Sequence, residues 1–598
     1  GPGCSLDNIN IHIDPVPFAP QNAGVAKVLG DNTKLLVNWD DNIESDLAGY
    51  NVYRSLASTG PYAQVNVSLL TNSEYLDSGL TPATTYYYIL TAVDDDANES
   101  PYSSVVSEIT DAVVSPCLYG VIISDTTWDT DVLICGDIYI VETATLTISP
   151  GVEVVFTNNS DINNIGSSAA DIEIIVDGNV IADGESGNEI IFKADGPGYN
   201  GYYGFFLSEK IDPTITKFDE CYFTQGEACI ILVGPEEFTV TNSSFNSCGY
   251  AIFNFESSNV NVSNCDFYNT ANGVTGYFEN LSGQVTNCTF TDSRYPVLKM
   301  DSSGNFTISN STFINYRYGV DCGTTSPPDS GNDNGNITVS NSYFYDGENS
   351  FRLLTIPAYV TINDCTFNSN AATIIAMQSK GEITVNNSSF SDSGTSNNFI
   401  NVQFSGDVNI NNSTFTGGNF GFYSDYLDEV IIDGSSFDNM AIGPFIVRTE
   451  NFQVLNSTSM NNTYGFQCND VKKAEYYDIF ISTISEIGII GMNNIESIYD
   501  NITINSVRNG ISLSAAIPLT SAKISDLDIS NFSRYGLQVI NLDSFEMRDS
   551  KIKGGEIGGL YMGLNYGKFQ NNTISNMNSS PGVGFFLVNI PGNLEINN

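Results

Sequence analysis

The 598-residue chain exceeds the size at which one compact core normally stops growing, so it forms several domains or one elongated repeat domain. Its 69 acidic residues against 21 Lys and Arg give a net charge of −48, which repels nucleic acid phosphates and anionic lipid surfaces. Aromatic residues make up 12% and charged residues 15%, too apolar for a disordered chain and too interrupted for a membrane span. We therefore expect a folded, soluble protein without a nucleic acid partner.

Residues 1–14 are predicted to form a flexible tail that shows signs of processing. Gly1-Pro2 resembles the scar left by removal of a tag, and Gly3-Cys4-Ser5 follows at once. A Gly-Cys pair at a mature N-terminus resembles the lipobox junction of bacterial lipoproteins. The resemblance implies a lipid anchor on Cys4, and membrane contact is expected through that anchor alone. The alternative is an incidental cysteine in the tail.

Residues 15–113 alternate apolar and polar residues in short runs, which predicts an antiparallel β-sandwich. The more specific stretches are Leu-Leu-Val-Asn-Trp at 35–39, Gly-Tyr-Asn-Val-Tyr-Arg at 49–54 and Leu-Thr-Pro-Ala-Thr-Thr-Tyr-Tyr-Tyr at 80–88. Together they resemble a fibronectin type III domain over its whole length. The resemblance implies that Trp39 fills the core and that Tyr86 forms the tyrosine corner of this family. Such modules mostly act as spacers or docking surfaces, so the fold alone implies no activity.

Three consecutive aspartates, Asp94, Asp95 and Asp96, lie in a loop of this module. Calcium prefers several oxygen ligands, so this loop is a candidate calcium site. Loops of this composition are more often solvated turns, and the structural interpretation is favoured. No other cofactor is expected. The mixed spacing of the cysteines fits no zinc site, and His12 in the tail is the one histidine.

A second pattern begins at residue 114 and is expected to continue to residue 598. Thr-Leu-Thr-Ile-Ser-Pro-Gly at 145–151, ahead of an apolar strand, resembles the opening coils of right-handed parallel β-helix proteins. The resemblance implies an N-terminal cap near 117–150. Cys117 and Cys135 flank that cap, and an extracellular location would favour a disulfide between them. The chain is thus predicted to be all-β, a fibronectin type III sandwich followed by a long right-handed parallel β-helix.

The second part repeats one phrase, an apolar residue followed by x-Asn/Asp-Cys/Ser-x-Phe, at intervals of mostly 22 or 23 residues. A period of this length with β-branched, aromatic and Asn-rich content indicates one solenoid coil per repeat. Leucine-rich repeats have a similar period, but their Leu-x-x-Leu-x-Leu frame is missing. The last position of the phrase is occupied by Phe223, Phe245, Phe267, Phe290, Phe313, Phe344, Phe367, Phe390, Phe415, Phe437, Met460, Ile504, Ile529, Ile552 and Ile574.

One position of the phrase accepts only small residues, which predicts that it faces the crowded interior of the coil. It is occupied by Cys221, Ser243, Cys265, Cys288, Ser311, Ser342, Cys365, Ser388, Ser413 and Ser435. These cysteines are therefore interpreted as core residues without a catalytic role. The Asn residues of the turns are expected to stack between coils and to adopt left-handed backbone conformations.

An enzymatic function must be weighed because many β-helix proteins are polysaccharide lyases or glycoside hydrolases. Lyases need a base together with positive groups that neutralise the uronate, and here basic residues are sparse and the repeat contains no histidine. The Gly-His-Gly and Arg-x-Lys motifs of polygalacturonase-like hydrolases are also missing. Two carboxylates on adjacent coils would suffice for glycoside hydrolysis, and the sequence does not give their separation. We assign no catalytic residue and no metal ligand.

A tyrosine recurs shortly after the repeat phrase, ahead of a small and an apolar residue. The recurring residues are Tyr250, Tyr295, Tyr318, Tyr464 and Tyr535, and three of them follow an arginine, namely Arg294, Arg317 and Arg534. If these side chains project from one lateral face, exposed rings beside hydrogen-bonding groups suit the apolar faces and hydroxyls of sugars. For any single tyrosine, covering a turn is the simpler interpretation. The Arg-Tyr pairs at 294–295 and 317–318, on consecutive coils, are the strongest candidates for ligand contact.

The leading hypothesis is a non-enzymatic, extracellular surface protein that binds glycan or mediates adhesion through the side of its β-helix, as a monomer. The first alternative is a polysaccharide-degrading glycoside hydrolase or lyase that uses acidic residues in a lateral groove. The second alternative is a purely structural stalk. Leu594–Asn598 looks like the opening of another repeat, which predicts that the natural protein continues beyond it.

Overall fold

A computed structural model describes residues 16–112, 117–158, 161–163, 165–166, 168, 171–196, 202–255, 259–276, 282–299, 304–323, 335–354, 359–368, 372–377, 381–392, 398–404, 406–516, 520–575, 583–588 and 593–597. Cys4 and the tail lie outside these residues. Within the described ranges every regular element is a strand, and none contains a helix able to cross a membrane. The contacts group the chain into two compact units, the first made of Gly1–Ala182, Ile190–Phe206 and Lys210–Thr216 and the second of the remaining residues.

The fibronectin type III module lies in the first unit and consists of two antiparallel layers. One layer pairs Gly24–Val28, Asp31–Asn38 and Glu74–Ser78, and the other pairs Ala63–Gln64, Leu47–Ser55, Thr85–Asp94 and Val106–Ile109. Trp39 is 6% exposed in the core between them, with its ring 5.1 Å from that of Tyr50. The Tyr86 hydroxyl accepts a hydrogen bond from the Thr81 N–H at 3.0 Å. Both residues therefore have the roles that the resemblance implied.

The candidate calcium loop of this module is organised by hydrogen bonds within the turn. The backbone N–H of Asn98 donates to Asp94 at 2.7 Å, and its side-chain amide donates to the other carboxylate oxygen at 2.9 Å. Asp94 itself is buried. In the part of the chain that the structure describes, no group of three or more His, Cys, Asp and Glu has metal-binding geometry.

The first unit also contains the opening coils of the β-helix. Their strands are Leu118–Ile122, Thr126–Trp128, Val132–Ile140, Thr145–Ile148, Glu153–Phe156, Glu173–Val176, Asn179–Asp183, Ile190–Ala194 and Gly204–Ser208. The last residues of Asn179–Asp183 and of Gly204–Ser208 belong to the second unit. A disulfide joins Cys117 to Cys135, with their Cα atoms 5.8 Å apart. Trp128 is buried and pairs with Ile148, so it packs on the next coil.

In the second unit each coil contributes one strand to each of three parallel sheets, which we name A, B and C in chain order. Sheet A contains Lys217–Asp219, Glu237–Thr241, Asn259–Ser263, Ser282–Thr286, Phe306–Ser309, Ile337–Ser340, Val360–Asn363, Ile383–Asn386, Val408–Asn411, Glu429–Asp433, Asn451–Leu455, Ser544–Arg548, Tyr566–Gln570 and Asn593–Asn597. Sheet B contains Cys221–Thr224, Ser244–Asn246, Asp266–Tyr268, Thr289–Thr291, Thr312–Ile314, Tyr343–Tyr345, Thr366–Asn368, Ser389–Ser391, Thr414–Thr416, Ser436–Asp438, Thr458–Met460, Lys551–Lys553 and Thr573–Ser575.

Sheet C contains Ala228–Val233, Tyr250–Asn254, Asn272–Gly276, Tyr295–Lys299, Tyr318–Gly323, Asn349–Leu354, Ala372–Met377, Asn398–Gln403, Phe420–Asp425, Ile442–Val447, Tyr464–Asn469, Tyr535–Ile540, Ile557–Met562 and Val583–Val588. Three longer strands, Lys473–Met492, Glu496–Ser514 and Ser521–Ser530, bend from one sheet into the next. Corresponding residues of successive coils pair in register, so each repeat position forms a column through the unit.

The predicted interior columns are buried. The phenylalanines of the repeat phrase, from Phe223 to Phe437, are at most 1% exposed, and neighbouring rings of this column stack with centroids 4.4 to 5.0 Å apart. The small residues lie beside them as a hydrogen-bonded ladder. The Ser413 hydroxyl, for example, accepts from the Ser388 N–H at 3.2 Å and donates to the Asn411 carbonyl at 2.9 Å. The column requires a small side chain, and where that side chain is serine its hydroxyl also satisfies backbone groups of two coils inside the core.

The turns between sheets A and B contain the expected asparagine stack. Asn242, Asn264 and Asn287 have φ values of 50°, 54° and 55°, in the left-handed region. The side-chain amide of Asn264 donates to the Asn242 side-chain oxygen at 3.1 Å, and Asn287 repeats this contact with Asn264 at 3.1 Å.

One member of the repeat list was wrong. Ser459, and not Met460, pairs with Phe437 and faces the interior at 0% exposure, whereas Met460 pairs with Asp438 on the outward side. The reason is that side chains alternate between the two faces of a strand, so a one-residue offset exchanges inside for outside.

Candidate functional site

The predicted tyrosines occupy one column, at the start of the sheet C strands. The strand register pairs Tyr250 with Asn272 and Asn272 with Tyr295, and Tyr464 and Tyr535 begin their strands in the same way. Asn398 pairs with Phe420, so Phe420 belongs to this column too. In the part of the chain that the structure describes, only Tyr295 and Tyr318 among the predicted tyrosines lie on consecutive coils.

Tyr295 and Tyr318 form a stacked pair flanked by guanidinium groups. Their ring centroids are 5.6 Å apart with an interplanar angle of 28°. Arg294 lies 5.3 Å from the centre of the Tyr295 ring and Arg317 lies 5.1 Å from that of Tyr318. At a coil far from this pair, Arg534 lies 4.8 Å from the Tyr535 ring.

Sequence reasoning missed a further arginine at this pair. Arg352, from the next coil, lies 4.0 Å from the centre of the Tyr318 ring, and its Nε donates to Asp321 at 2.7 Å. A second guanidinium nitrogen binds the other oxygen of Asp321, which is 1% exposed. With two arginines against it, Tyr318 is 9% exposed and offers little surface to a ligand.

Beginning three coils beyond that of Tyr318, the turns that follow the sheet C strands carry a more exposed aromatic cluster that sequence reasoning also missed. The rings of Phe404 and Tyr426 are parallel within 13° with centroids 5.0 Å apart. Arg448 lies 4.1 Å from the centre of the Tyr426 ring and donates to its hydroxyl at 2.9 Å. Phe404 is 54% exposed and Tyr426 is 46% exposed, so both rings remain available to a ligand.

Arg448 is itself held by a carboxylate below the cluster. Its Nε donates to one oxygen of Asp425 at 2.7 Å, and a terminal nitrogen binds the other oxygen. This two-point contact fixes the plane of the guanidinium and therefore its position over Tyr426. The nearby Asp425 raises the pKa of Arg448, so the group stays charged.

The backbone of this cluster shows why the residues are unusual. Phe404, Tyr426 and Arg448 come directly after successive sheet C strands and have φ values of 51°, 60° and 47°. Other coils fill the same turn with residues that tolerate this conformation, such as Asp470 and Asn493. Bulky side chains rarely adopt left-handed backbone, and such strain concentrates at functional sites. A bulky residue at a left-handed turn position that in other coils holds residues such as Asp470, Asn493 or Gly563 was the available sequence signal.

Three more aromatic side chains extend the cluster across the sheet. The Phe420 ring lies 6.1 Å from Phe445, and the Tyr423 ring lies 5.7 Å from Phe445. All three are partly exposed on the outward side of their strands. We name the set Phe404, Phe420, Tyr423, Tyr426, Phe445 and Arg448 the aromatic platform.

Amide side chains border the platform on both sides. Asn401 lies on the coil before that of Tyr423 and pairs with it. The Asn401 side-chain oxygen accepts a hydrogen bond from the Gln403 amide at 3.1 Å. Gln467 pairs with Phe445 on the following coil. Nearby, the Asn469 side-chain oxygen is buried and has no hydrogen-bond partner among the described residues. The surface thus combines rings with amide donors and acceptors.

Two acids of this face are closed to solvent and paired with arginine. Asp321 and Asp425 are 1% and 6% exposed, and each is neutralised by an arginine. In the first unit, burial raises the pKa of Asp137 to about 6, and the backbone N–H groups of Gly166 and Glu173 donate to it at 2.7 and 2.8 Å. Asp137 and Glu173 are closed to solvent at 0% and 1% exposure, so neither reaches a polymeric substrate.

The chain belongs to the family described as the right handed beta helix region, whose matches at residues 154–333 and 329–475 together span more than half of it. This agrees with the three parallel sheets and the in-register columns. The particular relatives share only short segments. An amylopullulanase of Thermoanaerobacter thermohydrosulfuricus is 35% identical over 88 residues, which are 15% of this chain and 6% of the relative. An exoglucanase B of Cellulomonas fimi is 33% identical over 91 residues, 15% of this chain and 8% of the relative.

A poly(3-hydroxybutyrate) depolymerase of Ralstonia pickettii is 36% identical over 87 residues, 14% of this chain and 16% of the relative. The chain therefore spans less than a fifth of each of these three relatives. Among solved structures, an Fn3-like protein from Clostridium thermocellum is 27% identical and matches 16% of this chain and 92% of its own, with a TM-score of 0.14. A β-1,2-glucanase from Parabacteroides distasonis is 28% identical and matches 16% of this chain and 13% of its own, with a TM-score of 0.14.

Proposed function

We propose that this protein is a non-enzymatic, extracellular surface protein that holds glycan chains on the outward face of sheet C. The observation that carries the proposal is the stacked pair Phe404 and Tyr426, about half exposed and held in a left-handed backbone conformation that costs stability. Backbone strain lowers stability and concentrates at functional sites, so large exposed rings in a strained turn indicate a role in binding. Adhesion to a glycan-covered surface is the role that follows.

The chemistry of the platform suits sugars. Aromatic rings bury the apolar C–H faces of a pyranose, and Asn401, Gln403 and Gln467 supply hydrogen-bonding groups for its hydroxyls. Adjacent coils are about 4.8 Å apart, so an extended chain lying across several coils meets several rings. Of the two Arg-Tyr pairs, the pair at 294–295 is proposed to extend the contact, because Tyr295 is partly exposed whereas Tyr318 at 317–318 is covered by two arginines.

The location is part of the proposal. The Cys117–Cys135 disulfide is typical of an oxidising compartment, which supports an extracellular position. Attachment through a lipid on Cys4 is proposed from the sequence alone. Two of the relatives bear names of polysaccharide-degrading enzymes, amylopullulanase and exoglucanase, which supports polysaccharide as the setting in which the chain works.

A glycan array followed by product analysis tests the function. The purified chain is applied to immobilised plant, algal and bacterial glycans, and each bound polymer is then incubated with the protein and examined by mass spectrometry. We expect retention of at least one class of glycan without release of oligosaccharides. Released oligosaccharides would replace the binding function with the hydrolase or lyase alternative, and no retention on any glycan would favour a structural stalk.

A further inference from the structure

We propose that the glycan held by the aromatic platform is uncharged, an inference that rests on the proposed function and names its ligand class. Three of the guanidinium groups that lie over rings of this face, among them Arg448 of the platform, are already neutralised. Arg317 pairs with Glu348 at 3.2 Å, Arg352 binds Asp321 through two nitrogens, and Arg448 binds Asp425 in the same way.

Burial makes two of these pairs resistant to exchange. Asp321 is 1% exposed and Asp425 is 6% exposed. A uronate or sulfate that attracted Arg352 or Arg448 away would leave a buried carboxylate without its counter-charge, which is strongly unfavourable. Each arginine therefore orients a ring and is unavailable to an anionic sugar.

The charge of the whole chain acts in the same direction. A net charge of −48 repels an approaching polyanion at long range, and this repulsion is greatest at low ionic strength. A neutral glycan meets no such barrier, since ring contacts and amide hydrogen bonds carry its binding.

Matched polymers test the selectivity. The full chain is titrated calorimetrically with a neutral glucan, galactan or mannan retained on the array, and with the same polymer after oxidation of its C6 hydroxyls to carboxylates. We expect the neutral form to bind at least tenfold more tightly at low salt. Tighter binding of the oxidised form, weakened by added salt, would overturn the neutral selectivity while leaving the proposed function intact. Failure of every matched pair to bind would overturn both.

A charge variant provides the second arm. Asp425→Asn keeps the size of the side chain and removes the carboxylate, which leaves Arg448 uncompensated. We expect a severalfold gain in affinity for the oxidised polymer, and Glu429→Gln, in the neighbouring sheet A strand, serves as the matched control for the same loss of charge. Equal gains in the two variants would show that long-range charge alone sets the preference and would overturn the role assigned to the Arg448 pair.

A different observation carries a second inference, that Cys229 and Cys248 form a disulfide. Their sulfur atoms are 2.7 Å apart and both residues are 0% exposed. Non-bonded heavy atoms make contact at about 3.5–4.0 Å, so two thiols at this separation repel each other. A covalent bond relieves that repulsion and joins Cys229, in the strand Ala228–Val233, to the turn that precedes the next sheet C strand.

A disulfide oxidant such as oxidised glutathione accepts the two electrons that the cysteines lose. One cysteine thiolate attacks the oxidant and forms a mixed disulfide, releasing the first reduced thiol. The second cysteine then attacks the sulfur of its partner, which forms the protein disulfide and releases the second reduced thiol. Two electrons pass to the oxidant, and the two cysteine protons end on its thiols. The reaction takes place before the coil closes over these sulfurs.

Thiol mapping of the protein made in an oxidising compartment tests the assignment. The chain is unfolded without reductant, alkylated, digested and analysed by mass spectrometry. We expect a linked peptide that contains Cys229 and Cys248, whereas Cys365 and Cys468, whose sulfurs contact backbone carbonyls or polar side chains, are alkylated as controls. Complete alkylation of Cys229 and Cys248, with Cys117 and Cys135 protected, would contradict the assignment.

Discussion

Phe404 and Tyr426 lie parallel at 5.0 Å on neighbouring coils, and Arg448 covers the next level of the same stack. Each of the three residues has a left-handed backbone at a turn that several other coils build from Asn, Asp or Gly. At this stack the repeat places exposed rings and an arginine where those coils have small or turn-favouring residues.

Removal of one ring from this stack is expected to weaken glycan binding. Tyr426→Ala abolishes the contact with the sugar and with Phe404, and a loss of about 1.4 kcal/mol corresponds to a tenfold weaker affinity. Calorimetric titration measures the change. Tyr345→Ala is the matched control, because Tyr345 is a 40% exposed tyrosine on sheet B, stacked 6.3 Å from Tyr343. Equal losses in both variants would place binding elsewhere.

The strained turn predicts an inverted order of stability at Tyr426. Glycine normally destabilises a protein relative to alanine, but at a φ of 60° an alanine carries the left-handed penalty that glycine avoids. We expect Tyr426→Gly to be more stable than Tyr426→Ala by about 1 kcal/mol. Urea unfolding followed by circular dichroism provides the comparison. A less stable glycine variant would show that this turn carries no backbone strain.

The serine ladder predicts a specific dependence on hydrogen bonding. Ser413→Ala leaves the buried Ser388 N–H without its partner, whereas the Asn411 carbonyl still accepts from the Asn387 N–H, and the change is expected to cost roughly 1–3 kcal/mol. Ser413→Cys should cost less, since other coils place cysteine in this column with its sulfur against backbone carbonyls. The two unfolding curves are compared in urea. An alanine variant as stable as the native chain would contradict the assigned role of the hydroxyl.

Asp137 predicts a pH dependence of the first unit. Burial raises its folded-state pKa to about 6, above the value of 3.8 for an exposed aspartate. The folded state therefore binds the Asp137 proton more tightly than the unfolded state does. The contribution of this proton to the free energy of unfolding is full below pH 4 and is lost as the pH rises through 6. Asp137→Asn should remove this loss, on the order of 2–3 kcal/mol.

Tryptophan fluorescence is suited to this measurement, because Trp39 and Trp128 are the two tryptophans of the chain and both lie in the first unit. Unfolding in urea is followed at pH values from 4 to 7 for the native chain and for Asp137→Asn. Parallel pH profiles for the two proteins would show that another group is responsible.

The interior of the repeat could be predicted from the sequence because its columns are set by strict size and polarity. Phe415 and Ser413 lie two residues apart, so both point inward, and each column accepts few residue types. The Met460 assignment failed because a methionine at the expected spacing resembles a core residue, whereas Ser459 carries the inward position. Alternation resolves such cases only when the register of the strand is known.

The outward surface was harder to predict because the contacts of an outward side chain depend on which residues lie beside it on other coils. The pairing of Tyr295 with Tyr318 follows from the repeat spacing, but Arg352 reaches Tyr318 from a coil that has asparagine at the tyrosine position. Phe404 and Tyr426 lie outside the Tyr-small-apolar motif altogether. Their signal was a departure from Asn, Asp or Gly at a left-handed turn, which becomes visible only after the turn itself is located.

Hydroxyl radical footprinting tests the binding surface most directly. The full chain is oxidised with and without a glycan that it retains on the array, and side-chain oxidation is quantified by peptide mass spectrometry. We predict strong protection of Phe404 and Tyr426, with Tyr343 and Tyr345 on sheet B unchanged. Protection confined to the fibronectin type III module or to sheet B, with Phe404 and Tyr426 oxidised as fast as in the free protein, would contradict binding on the face of sheet C.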